Sequence, residues 1–406
     1  MPVALEILKN PTSINPQSDS LLISKLPLEL RRLIWAFALT CYEDKTRHFA
    51  LDRPYTRPGQ GGPLRVATDL LETCRTIYVE AFLVPFEVNP MTAFDGNHVD
   101  VPPHTVLHCT DSGPGSLGKL KRWQFANLTS AEMTVQQVKL EGGAIERISR
   151  MAGTLGRHRG RELREFTFIT SFVDQFLRTA EAQHSNSTGK EDPMPTAPNH
   201  DLRIAKKMTH LTIRLGRTDW WSWSSAPERA TLSPGNKLRL EPMIHTTASL
   251  ATAPAMNEGY AARQAGREPE FGLDSFEKPG RWGTQITEFW PDLQVLELVL
   301  ETFIQKKSQL DAIIECAKLW TFALPEGYQL EWDQRPVSTI RWRGAMTFGY
   351  LDPTVKAWAE INLESPDPEA EKIPLLDWRR GNNSIGHGSH YHEAIIHTMV
   401  FKRRKL

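Results

Sequence analysis

Three segments in which apolar residues alternate with polar ones constrain this chain most. They are LREFTFITSF with Leu163 and Phe166, MTHLTIRLG with Leu211, Ile213 and Leu215, and PDLQVLELVLETF with Leu293, Leu296, Leu298 and Leu300. A period of two sends successive side chains to opposite faces, so each segment reads as a strand that is apolar on one side. Such strands need a helix layer over the apolar face. The intervening sequence supplies candidates: GGAIERISRMAGTLGRH, with Ile145, Ile148 and Leu155 inward, and SQLDAIIECAKLW. The order strand, helix, strand predicts an α/β region. Its strands lie about 45 and then about 85 residues apart, against roughly 20 to 29 in a regular leucine-rich repeat, so any repeat is irregular.

Upstream the period changes. In LLISKLPLELRRLIWAFALT, Leu30, Leu33, Ile34 and Phe37 recur at helical spacing, with Ser24 as a cap and Pro27 near the first helical position. A turn-rich stretch follows from Asp52 to Pro63. DLLETCRTIYVEAFLVPFEV then places Leu70, Cys74, Ile77, Tyr78 and Ala81 at the same spacing until Pro85 ends the pattern. The two helices are expected to pack across the loop. Phe86 to Phe94, Thr105 to His108 and Glu132 to Leu140 read as short strands. Residues 181–200 and 226–283 are polar or rich in Pro, Gly, Ala and Thr and read as long disordered inserts. ESPDPEAEKIP at Glu364 to Pro374 reads as a linker. The expected fold is α+β, divided into a flexible N-terminus (1–20), a small helical module (21–95), an α/β strand-helix region (96–360), and a linker with a basic tail (361–406).

Charge and composition exclude several classes. Lys+Arg and Asp+Glu both number 48, so no global field is available to hold a polyanion, and no nucleic-acid partner is expected. No apolar run approaches the roughly 20 residues of a membrane helix. MPVALEILKN carries Glu6 inside its only apolar stretch and has no basic residue before that stretch, unlike a secretory signal. Cys41, Cys74, Cys109 and Cys316 form no CxxC pair and read as reduced thiols. The expected location is cytoplasmic or nuclear.

Leu26, Pro27, Glu29, Leu30 and Ile34 stand as in the L-P-x-E-[LI]-x-x-x-I opening of an F-box, and LLETCRTIYVEAFLVPFEVNPMTAF resembles the second half of the fungal F-box-like domain. Together they span Leu26 to Phe94, under a fifth of the chain. The downstream strands resemble the irregular, leucine-rich-repeat-like regions that follow such domains. The resemblance implies a binding protein without enzymatic activity or cofactor: a substrate-receptor subunit of a cullin-type ubiquitin ligase. Leu26, Pro27, Leu30 and Ile34 would face the small adaptor that joins it to the cullin, and the C-terminal region would hold a protein substrate. The alternative is a non-catalytic nuclear scaffold that keeps the helices only as fold. Lys402, Arg403, Arg404 and Lys405 would then serve as a nuclear signal, against a merely solvated tail.

Other chemistry is weaker. Gly113, Gly115, Gly118 and Lys119 nearly match two phosphate-binding patterns, but Leu120 stands where a P-loop needs a hydroxyl, and a surface turn is the better reading. His387, His390, His392 and His397 cluster without a cysteine and read as a solvated loop rather than a zinc site. Trp220, Trp221, Trp223, Trp282 and Trp290 suit a core, with a recognition surface as the alternative.

Overall fold

The computed structural model describes residues 19–50, 55–95, 127–146, 208–227, 236–244, 252–269, 282–346, 368–376 and 390–406, with residues 107–108 and a few isolated positions. It is a mixed α+β fold in which N-terminal helices lead into a mixed sheet of ten strands.

Where the spacing predicts one opening helix, the chain forms two, α1 (Leu21–Lys25) and α2 (Leu28–Leu39). Pro27 causes the break. A residue before proline is pushed out of the helical region, and Leu26 is extended at φ −93°, ψ 131°. Ser24 is therefore no cap; it sits inside α1 and its hydroxyl donates to the Ser20 carbonyl at 2.8 Å. A short ladder of β1 (Tyr42–Glu43) and β2 (Leu64–Arg65) closes the base of the turn-rich loop.

Next come α3 (Arg75–Ala81) and α4 (Val84–Val88). The Cys74 thiol caps α3, accepting the Ile77 N–H at 3.5 Å. Pro85 does not end the helical pattern. It occupies the first turn of α4, where its missing N–H is no loss, so Phe86 is helical and the expected strand starts later, as β3 (Met91–Asp95). Asn89 staples the helix ends. Its amide donates to the carbonyls of Leu39 and Pro85, both at 2.8 Å, and its side-chain oxygen accepts the Cys41 N–H.

The remaining elements in chain order are β4 (Leu107–His108), β5 (Ser130–Val135), α5 (Gln137–Glu141), β6 (His210–Leu215), α6 (Thr252–Gln264), α7 (Trp282–Phe289), β7 (Val295–Phe303), α8 (Lys307–Ala317), β8 (Thr321–Leu324), β9 (Tyr328–Trp332), β10 (Ser338–Met346), α9 (Pro368–Glu371), β11 (Leu375–Leu376) and β12 (His390–Lys405). The strands β4, β3, β5, β6 and β7 lie side by side in that order and are parallel. Antiparallel β12 follows, paired with β7 on one side and with β10 and β9 on the other.

One-sided packing follows the alternation. Ala131, Met133, Leu211, Ile213, Leu296, Leu298 and Leu300 are buried against Trp282 and Ile286 of α7 and Leu310 and Ile313 of α8. The opposite face carries Glu132, Thr212, Arg214 and Glu297, joined by bonds such as Arg214 Nε to Glu132 Oε1 at 3.0 Å. The Leu163 strand, residues 147–158 of the expected helix, Cys109 and the Gly113 to Lys119 turn fall outside the described residues.

Other readings change as well. The expected strand Glu132 to Leu140 ends at Val135, and Gln137–Glu141 is helical. The supposed basic tail is the 16-residue strand β12, inside the sheet. Ala394, Ile395 and Ile396 are buried on both faces, so the run shows no alternation and hides its strand character. Part of the supposed insert 226–283 is ordered: α6 forms, and Leu238 and Leu240 are buried. Its Ala-rich sequence favours a helix despite little apolar character. Insert 181–200 falls outside the described residues.

The turn-rich loop returns to the sheet. Arg57 is buried with Nη1 3.2 Å from Glu301 Oε2, and Gln60 donates to Glu132 Oε1. Glu301 also accepts from Trp342 Nε1 at 3.1 Å and lies 3.5 Å from Arg217 Nε. Burial pushes the Arg57 guanidinium down to about 10 and the neighbouring Asp219 carboxyl up to about 6. Among the described residues, no helix is long and apolar enough to cross a membrane.

Candidate partner-docking surface

Helix α2 is apolar on two opposite sides, and among the described residues only one of them packs. Its inner side carries Leu28, Arg31, Trp35 and Leu39, all buried. Trp35 and Leu39 pack with Ile23, Ala81 and Val84. The charge in this core is matched atom for atom: Arg31 donates from Nε to Glu80 Oε2 at 3.0 Å and from Nη2 to Glu80 Oε1 at 2.7 Å. Trp35 Nε1 adds a bond to Glu80 Oε2 at 3.2 Å, and Arg31 Nη1 reaches the carbonyls of Ile23 and Leu26. A bidentate pair of this kind fixes the rotation of α2 about its axis, because turning the helix would strand a buried guanidinium.

The outer side follows from that rotation. Leu30, Leu33, Ile34 and Phe37, at i, i+3, i+4 and i+7, are 47, 66, 38 and 87% exposed. Four large apolar side chains in one stripe are more than the scattered apolar residues usual on a surface. Complete burial of a Leu, Ile or Phe contributes about 1.5–3 kcal/mol, so the exposed fractions leave on the order of 5 kcal/mol for a partner to gain. A helix face of this spacing suits insertion into an apolar groove.

The four residues that the F-box pattern assigns to the adaptor lie together here. Leu30 and Ile34 are in the stripe, Pro27 is exposed at its head, and Leu26 is half-buried with its carbonyl on Arg31. Helix α2 does pack onto α3, but through Arg31 and Trp35 rather than through the stripe. The pairing of Arg31 and Trp35 with Glu80 was missed from sequence, since a charged residue on a core face is not an apolar-spacing signal. Arg31 at i−4 from Trp35 was the available clue.

Other sequence candidates disperse. Lys402, Arg403, Arg404 and Lys405 pair along β9, so alternate members point to opposite faces of the sheet. Arg404 Nε lies 2.8 Å from Glu331, Lys402 Nζ 3.6 Å from Asp333, and Arg403 over the Tyr328 ring. A receptor that reads an extended basic peptide would have to peel this strand from the sheet. His392 and His397 are buried in β12 rather than in a solvated loop. His397 bonds Asp311 Oδ1 through Nε2 at 3.0 Å and Thr339 Oγ1 through Nδ1 at 2.9 Å. No cluster of three or more His, Cys, Asp or Glu side chains suited to a metal occurs among the described residues. Trp220, Trp282 and Trp290 are core residues, whereas Trp221 is 39% exposed and donates to Glu141.

A groove of about 360 Å³ lies between α8 and the β9–β10 connection, walled by Trp332, Pro336 and Val337 and floored by Ile314 and His397. Asp311 stands at its edge. Burial pushes that carboxyl up, but hydrogen bonds from His397 and Lys307 outweigh it and hold it below the usual carboxylate range.

No protein-family model, no curated protein and no solved structure matches the chain.

Proposed function

We propose that the chain is a substrate-receptor subunit of a cullin-type ubiquitin ligase, which docks the adaptor with the outer face of α2 and carries a protein substrate on its C-terminal region. The carrying observation is the unpaired apolar stripe of Leu30, Leu33, Ile34 and Phe37, on a helix whose other side is already locked by Arg31 and Glu80. A helix kept only for its fold has no need of a second apolar face. The stripe contains Leu30 and Ile34 of the F-box pattern and adds Leu33 and Phe37 to the contact. Parallel strands β3, β5, β6 and β7, neighbours in the sheet and backed by helices on one side, suit the irregular leucine-rich-repeat-like region expected after such a module. In this role the protein supplies proximity alone, and the reacting cysteines belong to other subunits.

The test is affinity co-purification of the full chain beside a Leu30→Asp, Ile34→Asp double variant. Both side chains point outward, so the variant is expected to fold. Adaptor and cullin come down with the wild type and vanish with the variant. Their absence from the wild-type preparation removes this reading and leaves the scaffold alternative.

A further inference from the structure

Helix α2 ends at Thr40, on the flank of the apolar stripe. Thr40 follows Phe37 by three residues, which makes the two neighbours on the helix surface. Thr40 is exposed, and its hydroxyl donates to the Ala36 carbonyl at 2.7 Å. That carbonyl also accepts the Thr40 N–H at 3.1 Å, so the last turn of α2 keeps a backbone bond if the hydroxyl is modified. From Thr40 onward the chain is extended: Thr40 has φ −64°, ψ 134°, and Tyr42–Glu43 is strand β1. Glu43, three residues beyond Thr40, has no ion-pair partner among the described residues, whereas the next carboxylate, Asp44, is held by Thr46 and Arg65. An exposed hydroxyl on extended chain, with an unpaired carboxylate three residues later, matches the charge pattern of substrates for acidic-directed protein kinases. Ser308 has Asp311 at the same spacing, but it lies in the first turn of α8, where the backbone is helical and Lys307 holds that carboxylate.

We propose that Thr40 is the target of an acidic-directed serine/threonine kinase and that phosphate there closes the adaptor-docking stripe. The closing rests on the receptor reading; the modification does not. In the transfer, Thr40 Oγ1 attacks the γ-phosphorus of a nucleoside triphosphate held by the kinase. The Oγ1–P bond forms as the bond to the β,γ-bridging oxygen breaks, the hydroxyl proton passes to the kinase's catalytic carboxylate, and the nucleoside diphosphate leaves. The product carries a charge of about −1.5 to −2 beside Phe37. Phe37, 87% exposed, is the stripe residue with most surface left to bury. A groove that accepts its ring has to take the neighbouring phosphate out of water as well, and the negative end of the α2 dipole offers that phosphate no compensating attraction. The fold is spared, because Arg31 and Glu80 lock α2 from its other side.

The experiment incubates the full chain with an acidic-directed serine/threonine kinase and ATP, locates phosphate by mass spectrometry, and titrates the ligase adaptor into the product by calorimetry. Phosphate is expected on Thr40 and not on Ser308, and it should be lost in Glu43→Lys. Phosphorylation is expected to weaken adaptor binding at least about tenfold, while Thr40→Val binds equally before and after incubation. No phosphate on Thr40, undiminished labelling of Glu43→Lys, or equal adaptor affinity with and without the phosphate would overturn the proposal. An unmodified chain that takes no adaptor refutes the receptor reading and the closing with it, and the mass spectrum still decides the modification site.

Discussion

Replacing Glu80 by Gln tests which side of α2 is the inner one. The carboxylate is 3% exposed and its partner Arg31 6%. The substitution keeps the shape, yet turns one of two acceptors into an NH₂ that faces a guanidinium donor and leaves the Arg31 charge buried without a counter-charge. Breaking a buried pair from one side costs about 3–5 kcal/mol. Arg31 keeps its bonds to the Ile23 and Leu26 carbonyls, which places the expected loss near the lower end, about 3–4 kcal/mol. Native-state hydrogen exchange isolates the effect within a chain of this size. Amide protection in α2 and α3 is expected to fall by about two to three powers of ten, while β6 and β7 keep theirs. The double change Arg31→Met, Glu80→Met removes both charges together and should recover most of the loss. A fall of less than tenfold in Glu80→Gln would mean that this pair does not set the rotation of α2, and the outward placement of Leu33 and Phe37 would lose its support.

Three further outcomes follow from the same structure. Asp219 has a folded value of about 6, raised from 3.8 by burial, so its stabilising proton is present at low pH and is lost as pH rises through 6. Asp219→Asn should therefore melt above the wild type at pH 8, by up to about 3 kcal/mol of stability, and level with it at pH 4, by calorimetry. Gly216→Ala places a methyl 3.0 Å from Asp219 Oδ2 and 3.3 Å from Arg57 Nη1, so Arg57 should leave Glu301. Limited proteolysis is then expected to cut the 55–63 loop faster than in the wild type. Trp35→Ala empties a site 1% exposed and should cost about 3–5 kcal/mol in urea unfolding of the N-terminal helices, where Phe37→Ala should cost less than about 0.5.

The parts of this fold that were legible in the sequence are those with a clean period. Leu211, Ile213 and Leu215 and the run Leu296, Leu298 and Leu300 announce one-sided strands, and α8 covers them as their polar outer face requires. Helix α2 was legible from Leu30, Leu33, Ile34 and Phe37, and the stripe that defines it turned out to be its exposed side. Spacing reports that apolar residues share a face, but not whether that face meets core or partner. The decision lies with Arg31 and Glu80, 49 residues apart and meeting only in the folded chain. β12 was illegible for a different reason: burial on both sides removes the alternation, and KRRK has the composition of a tail. Pro85 was read as a stop when its position in a first turn makes it a start. The groove at Trp332 joins α8, the β9–β10 connection and β12, and no local pattern could have gathered those three.

The most direct measurement is calorimetric titration of the purified ligase adaptor into the full chain and into Phe37→Asp. Phe37 is 87% exposed, so the variant should keep the wild-type Tm. Micromolar or tighter binding by the wild type is predicted. Loss of the Phe37 contact, about 2 kcal/mol, together with the desolvation of a carboxylate, should weaken the variant by at least about thirtyfold. No heat with the wild type, or equal affinity in both, would contradict the assignment of the α2 outer face as the adaptor-docking surface.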